Sequence, residues 1–154
     1  MAIRAATPDD LAPLSGLLDD YRQFYHQAPD IEGARRFLQA RLERGDSHIL
    51  VHEGAQGKLE GFVQLYPLFS TVRLAPLWLL NDLFVSPSAR RSGIGRALMQ
   101  AARELAESRG VGHLKLATLI ENRTAQALYE SLGWQRDTIF HHYGLLLETT
   151  ASRV

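Results

Sequence analysis

One stretch of the 154-residue chain restricts its folding more than any other. Trp78–Val85 is the most apolar strand candidate, and a strand of that composition belongs in the middle of a sheet. Pro87 breaks the ladder, and Gly93–Arg109 then sets Ile94, Leu98, Ala101, Ala102 and Leu105 on one face of a helix that Gly110 stops. The connection, Arg90-Arg91-Ser92-Gly93-Ile94-Gly95, therefore opens a helix directly after a buried strand. A helix start exposes backbone N–H groups that lack an intrahelical partner, and its dipole favours an anion there. Glycines at 93 and 95 remove the Cβ atoms that would keep a pyrophosphate from those donors. Arg90, Arg91 and Arg96 add fixed positive charge with forked donors suited to phosphate oxygens.

Several glycine-loop readings compete for this segment. A P-loop ends in Gly-Lys followed by Ser or Thr, and neither the lysine nor the hydroxyl follows here. A dinucleotide fingerprint has a third glycine where this chain has Leu98. What remains is Arg-x-x-Gly-x-Gly at a helix start, with an ordinary strand-to-helix turn and a solvated arginine cluster as the plain alternative.

The surroundings fix the fold class. Ala2–Ala6 is a short strand candidate. Thr7-Pro8-Asp9-Asp10 begins a helix, with a capping threonine, a proline in the first turn and two carboxylates at the positive end of the dipole. Leu11, Leu14, Leu17, Leu18, Tyr21 and Tyr25 continue it at helical spacing to Pro29, and a second stripe, Ala34, Phe37, Leu38 and Leu42, closes at Gly45. Ser47–Glu53 and Leu59–Tyr66 form a hairpin, and a loop about Pro67–Ala75 leads into the central strand. After the long helix come a strand at His113–Thr118, a short helix at Arg123–Leu132 between Asn122 and Gly133, two last strands at Trp134–Thr138 and Phe140–Leu147, and a tail from Thr149 to Val154. Hairpins followed by strand-to-helix units give a mixed α/β sheet in one domain spanning 1–154.

Composition removes several function classes. The formal net charge is zero, so no global field points to nucleic acid or an anionic membrane. Cysteine is absent, which removes disulfides, thiolate nucleophiles and cysteine zinc sites together and fits a cytoplasmic location. No apolar run is long enough to span a bilayer. His141 and His142 are adjacent on a strand candidate, point to opposite faces and cannot share a metal, so no metal site is expected.

Leu80-Asn81-Asp82-Leu83-Phe84-Val85-x-Pro87-x-x-Arg90-x-x-Gly93-x-Gly95-x-x-Leu98 resembles the central strand and pyrophosphate loop of the GNAT superfamily of N-acetyltransferases. Asn122-Arg123-x-Ala125-x-x-Leu128-Tyr129-x-x-x-Gly133-Trp134 is similar to its second motif. The two together, in this order and separation, are more specific than either alone, and they cover Trp78–Trp134 closely. Within the superfamily, Tyr66-Pro67-x-x-Ser70-Thr71 leading to Leu80-Asn81-Asp82-Leu83 looks most like the spermidine/spermine and thialysine acetyltransferase branch. That branch carries Glu-Asp where this chain has Asn81-Asp82, and asparagine cannot act as a carboxylate base.

The resemblance implies a mostly antiparallel sheet splayed at its middle strands, with helices on both faces. It implies acetyl-CoA as co-substrate, transfer to a primary amine of a small molecule such as a polyamine or a lysine-like amino acid, and by family habit a homodimer. Strand residues Leu83, Phe84 and Val85 would bind the pantetheine arm, with a backbone N–H near Leu83 polarising the thioester. Arg90, Arg91, Ser92, Gly93, Ile94, Gly95 and Arg96 would hold the pyrophosphate. Asn122, Ala125 and Tyr129 would line the cofactor from the short helix, Tyr129 serving as the acid toward the leaving sulfur. On the base side stand Asp82 or a water held by Asn81, and Tyr21 and Tyr25, with Asn81, would meet the acceptor. Helix packing is the bland role for Tyr129, Tyr21 and Tyr25, and helix capping for Asn122. Acetylation of a protein amino terminus or lysine, and a CoA-binding module without turnover, remain as rival functions.

Overall fold

The computed structural model describes residues 2–149. Its elements run β1 (Ala2–Ala5), α1 (Leu11–Phe24), α2 (Ile31–Arg44), β2 (His48–Glu53), β3 (Leu59–Ser70), β4 (Ala75–Val85), α3 (Ile94–Ser108), β5 (Leu114–Lys115) and α4 (Arg123–Ser131). By internal contacts the chain divides into two units, Met1–Ala117 and Thr118–Val154.

In the first unit the strands lie in the order β1-β2-β3-β4-β5, every pair antiparallel except β4 with β5. This is the predicted mixed, mostly antiparallel sheet, with helices on both faces. Leu14, Leu17 and Leu18 of α1 and Ala34 and Leu38 of α2 close over Ile49, Val51, Phe62 and Phe84 on one face. On the other face α3 buries Leu98, Met99, Ala102 and Ala106. Gly61 of β3 lets that helix approach: a Cβ there would lie 2.9 Å from the Phe84 carbonyl oxygen and 3.2 Å from a Leu98 methyl. Ahead of α1, a 3-10 turn at Pro8–Asp10 places Asp10 where Arg4 of β1 donates two hydrogen bonds of 2.8 Å to its carboxylate, and Arg4 donates a third to Glu53 of β2 at 3.0 Å. Gly45 ends α2 in the left-handed conformation, as predicted.

The predicted loop about Pro67–Ala75 is instead mostly strand, since β3 continues to Ser70 and β4 begins at Ala75. The prolines explain how. Trp78 donates its N–H to His113 beside β5, so it faces away from β3, and the pairs Trp78–Pro67 and Pro76–Phe69 carry no ladder bond that a proline would have to donate. The strand predicted at His113–Thr118 shortens to the two residues of β5.

In the second unit α4 starts at Asn122, whose side-chain oxygen accepts from the Ala125 N–H at 3.1 Å. Gly133, with φ +93°, follows its last turn. The two strands predicted at Trp134–Thr138 and Phe140–Leu147 do not form: residues 134–149 contain no strand. Alternating β-branched and aromatic residues stabilise a strand only against a neighbour, and Ile139, Tyr143 and Leu146 are 82%, 93% and 100% exposed. Asp137 supplies a local alternative by accepting the N–H groups of Ile139 and Phe140, a turn that competes with extended pairing. The predicted tail lies outside the described residues from position 150 on. Among the described residues no helix is long and apolar enough to cross a membrane.

Candidate active site

The centre of β4 is irregular in one place. Gln64 faces Asp82 while its neighbour Leu65 faces Leu80, so Asn81 has no residue opposite it and forms a bulge. The bulge reverses which backbone groups point across the sheet. Below it Trp78 directs its N–H toward β5; above it Ser86 donates to Glu60 of β3 at 2.8 Å. By the alternation of an antiparallel ladder, Phe84 therefore bonds toward β3, whereas Leu83 and Val85 turn their N–H and C=O groups to the opposite side. On that side β5 pairs only with Trp78 and Leu79. Within the first unit, β4 thus parts from β5, and no strand among the described residues pairs with the outward edge of Leu83 and Val85, the splay implied by the resemblance. Phe84 itself is 6% exposed and packs in the core.

Directly above that edge lies the arginine-glycine loop. Arg91, exposed, has φ +65° and Gly93 has φ +82°. A left-handed arginine costs roughly 1–2 kcal/mol, and such strain persists where the surroundings dictate the backbone path. Gly93 caps α3, whose first bond runs from the Ala97 N–H to the Gly93 carbonyl, so the N–H groups of Ile94 and Gly95 have no intrahelical acceptor. Nothing lies within 4 Å of the place a Gly93 Cβ would take. The glycine is required by its backbone angle, and the space beside it is open where an anion would meet the helix start. Ser92 turns its hydroxyl back to the Ala89 carbonyl. Arg90, Arg91 and Arg96 are all exposed. Arg90 turns instead to β4: its Nε donates to the Val85 carbonyl at 3.0 Å, and its guanidinium lies 5.6 Å from the Phe84 ring and 5.7 Å from the Phe24 ring.

Beneath the bulge is a polar cluster in an otherwise apolar interior. The Asp82 carboxylate, 9% exposed, accepts from Gln64 Nε2 at 2.9 Å and from Asn81 Nδ2 at 3.1 Å. Ser47 donates to Gln64 Oε1 at 3.0 Å. From α1 the Tyr21 phenol faces Asp82 and Tyr25, and burial, reinforced by the Asp82 charge, drives that phenol far above its ordinary range. The Tyr21 ring packs edge-on to Phe62 at 5.7 Å and to Tyr25 at 5.2 Å. Burial and the same carboxylate push Tyr66 of β3 up to about 12. Asn81 is exposed at the bulge. The first unit thus brings Tyr21, Tyr25, Asn81 and Asp82 together on one stretch of β4 and α1. It adds Gln64, Ser47 and Tyr66, which sequence reasoning missed. The one signal for Gln64 was a lone amide inside the apolar run Phe62–Leu65.

In the second unit Asn122 caps α4, the first of its two anticipated roles. Ala125 and Tyr129 are partly buried on that helix, with the Tyr129 ring 6.3 Å from Trp134. Among the described residues no group of three or more His, Asp or Glu side chains is placed to hold a metal ion.

Comparison with known proteins supports the geometry. The family described as "Acetyltransferase (GNAT) family" matches residues 14–134. The chain is 47% identical over 145 residues to an uncharacterized N-acetyltransferase, YhfO, of Bacillus subtilis (strain 168), covering 94% of this chain and 97% of that protein. The crystal structure of a probable acetyltransferase superposes with a TM-score of 0.90 at 36% identity, over 97% of this chain and 99% of the other. The [ribosomal protein bS18]-alanine N-acetyltransferase of Escherichia coli (strain K12) is 42% identical over 64 residues, covering 42% of this chain and 43% of its own length.

Proposed function

The chain belongs to the acetyltransferase (GNAT) family, which uses acetyl-CoA as co-substrate, and we propose that it acetylates a primary amine of a small molecule, with Asp82 as the proton acceptor. The observation that carries this reading is the juxtaposition, on one strand, of the unpaired Leu83–Val85 edge and the buried Asp82 carboxylate one residue below it.

When bound, acetyl-CoA supplies the activated acetyl group. The chain's own residues hold it. Leu83 and the Val85 N–H offer backbone groups to the pantetheine amides as a neighbouring strand would, while the Val85 carbonyl is held by Arg90, and the Leu83 N–H is the donor for a developing oxyanion. The N–H groups of Ile94 and Gly95, with Arg91 and Arg96, receive the pyrophosphate. Arg90, engaged with the Val85 carbonyl and two aromatic rings, acts on the shape of β4.

The acceptor must be neutral to attack, and an unperturbed lysine-type amine has a pKa of about 10.4. A positioned base is therefore needed at neutral pH. Asp82 is suited to it, because its partners are neutral donors: no ion pair ties it to a cation among the described residues. Asn81, exposed beside it, orients the incoming amine or a water. Tyr21 and Tyr25 form the aromatic wall, and Tyr129 protonates the departing sulfur. Attack is direct, since the sequence holds no cysteine to carry an acetyl group. Among small amines, a polyamine or lysine-like amino acid is preferred on the likeness of Tyr66–Thr71 and Leu80–Leu83 to the diamine and thialysine branch. A protein amino terminus is the second reading, favoured by the 42% identity to the bS18-alanine enzyme.

The test is thiol release from acetyl-CoA across a panel of polyamines, amino acids and peptide amino termini, with products weighed by mass spectrometry. A small amine is expected to be turned over. Asp82→Asn and Tyr129→Phe should each lower kcat by about 100-fold, the scale of general acid–base catalysis. Turnover confined to peptides would establish the second reading.

A further inference from the structure

We propose that Gln64 is a positioning residue: fixed by Ser47, its side-chain amide holds the Asp82 carboxylate in the orientation in which it receives the acceptor's proton. The inference rests on the reading of Asp82 as that acceptor.

Gln64 is 1% exposed, the most enclosed polar side chain among the described residues. It sits on β3 between Val63 and Leu65, both fully buried. Burying an amide costs about 1–3 kcal/mol unless its hydrogen bonds are made, so its presence is explained by its partners. Those partners fix its direction. An ionised carboxylate can only accept, so it takes the Nε2 end, at 2.9 Å. That leaves Oε1 to Ser47, whose hydroxyl donates at 3.0 Å. The chain Ser47 to Gln64 to Asp82 therefore has one polarity and no slack. It also reaches across three strands, since Ser47 precedes β2, Gln64 is on β3 and Asp82 on β4.

The other donors to Asp82 are less constrained. Asn81 is at the exposed bulge and bonds both carboxylate oxygens at 3.1 Å, a geometry that permits rocking. Tyr21 approaches from α1 and is shared with Tyr25, and Tyr66 of β3 is the remaining titratable group facing the cluster. With Gln64 removed, Asp82 keeps its burial but loses the donor that immobilises it. The carboxylate is then free to turn away from the incoming amine.

Gln64→Met keeps the length and removes the amide. The expected result is a kcat lowered by about tenfold and a KM for acetyl-CoA within about twofold of wild type. Ser47→Ala should lower kcat by less, again with little change in KM. Without any assay of turnover, the Gln64 side-chain NH2 resonance should exchange slowly with solvent and shift in Asp82→Asn and in Ser47→Ala. A folded Gln64→Met with wild-type kcat, together with a Gln64 amide resonance unmoved by Asp82→Asn, overturns the inference. Should Gln64→Met not fold, a Ser47→Ala enzyme identical to wild type in kcat and in that resonance does so. Asp82→Asn at full rate would instead overturn the reading of Asp82 as base, while the amide resonance would still report whether Gln64 grips it.

Discussion

At Tyr21 and Tyr66, burial and the Asp82 carboxylate together set the acidity of two phenols. Burial first, then that charge, raises Tyr21 far above the ordinary tyrosine range and Tyr66 to about 12. Both groups have folded values above the unfolded value of about 10. Their contribution to stability is therefore complete below pH 10 and lost as pH rises through the folded values. Alkaline titration followed at the phenolate absorbance should show two of the five tyrosines ionising only above about pH 12 or on unfolding. Tyr21→Phe should leave one such tyrosine. Five tyrosines titrating together near pH 10 would mean that the cluster is open to water.

Among the elements, β4 was the most legible because it is apolar on both faces, and only a central strand can bury both. The loop before α3 was legible for a related reason: Gly93 at φ +82° holds a backbone angle that favours glycine, so its chemistry is written in its identity. Period and composition failed where an element depends on what lies opposite. Pro67 and Pro76 read as loop, yet each occupies a pair without a ladder bond. Residues 134–147 read as strand but lack any pairing among the described residues. The bulge at Asn81 is a mismatch of register between two strands, invisible in either strand alone, and it is what aims Leu83 and Val85 outward. Gln64 escaped notice because one amide does not disturb an apolar pattern. The packing of α3 on β3 offers a test at this scale. Gly61→Ala sets a Cβ 2.9 Å from the Phe84 carbonyl, backbone that cannot yield cheaply, so a loss of about 1–3 kcal/mol is expected in chemical denaturation. Unchanged stability would show that α3 does not approach β3 so closely.

At the scale of the whole first unit, the fold holds one strand partly unpaired among the described residues. A sheet ordinarily covers or blunts its open edges, and within this unit β4 leaves Leu83 and the Val85 N–H without a strand partner, ahead of a helix start whose first N–H groups lack intrahelical acceptors. Family membership accounts for that arrangement if the edge and the helix start together receive acetyl-CoA. The most direct measurement is calorimetric titration of CoA into the wild-type protein and into Gly93→Ala. An added Cβ meets nothing within 4 Å in the ligand-free protein, so thermal unfolding should change little beyond the roughly 1–2 kcal/mol of a left-handed non-glycine residue. Wild type is expected to give a saturable heat at one site per chain, and the variant to bind at least about tenfold more weakly, the equivalent of 1.4 kcal/mol. No heat with wild-type protein, or equal affinity in the two, would contradict the account.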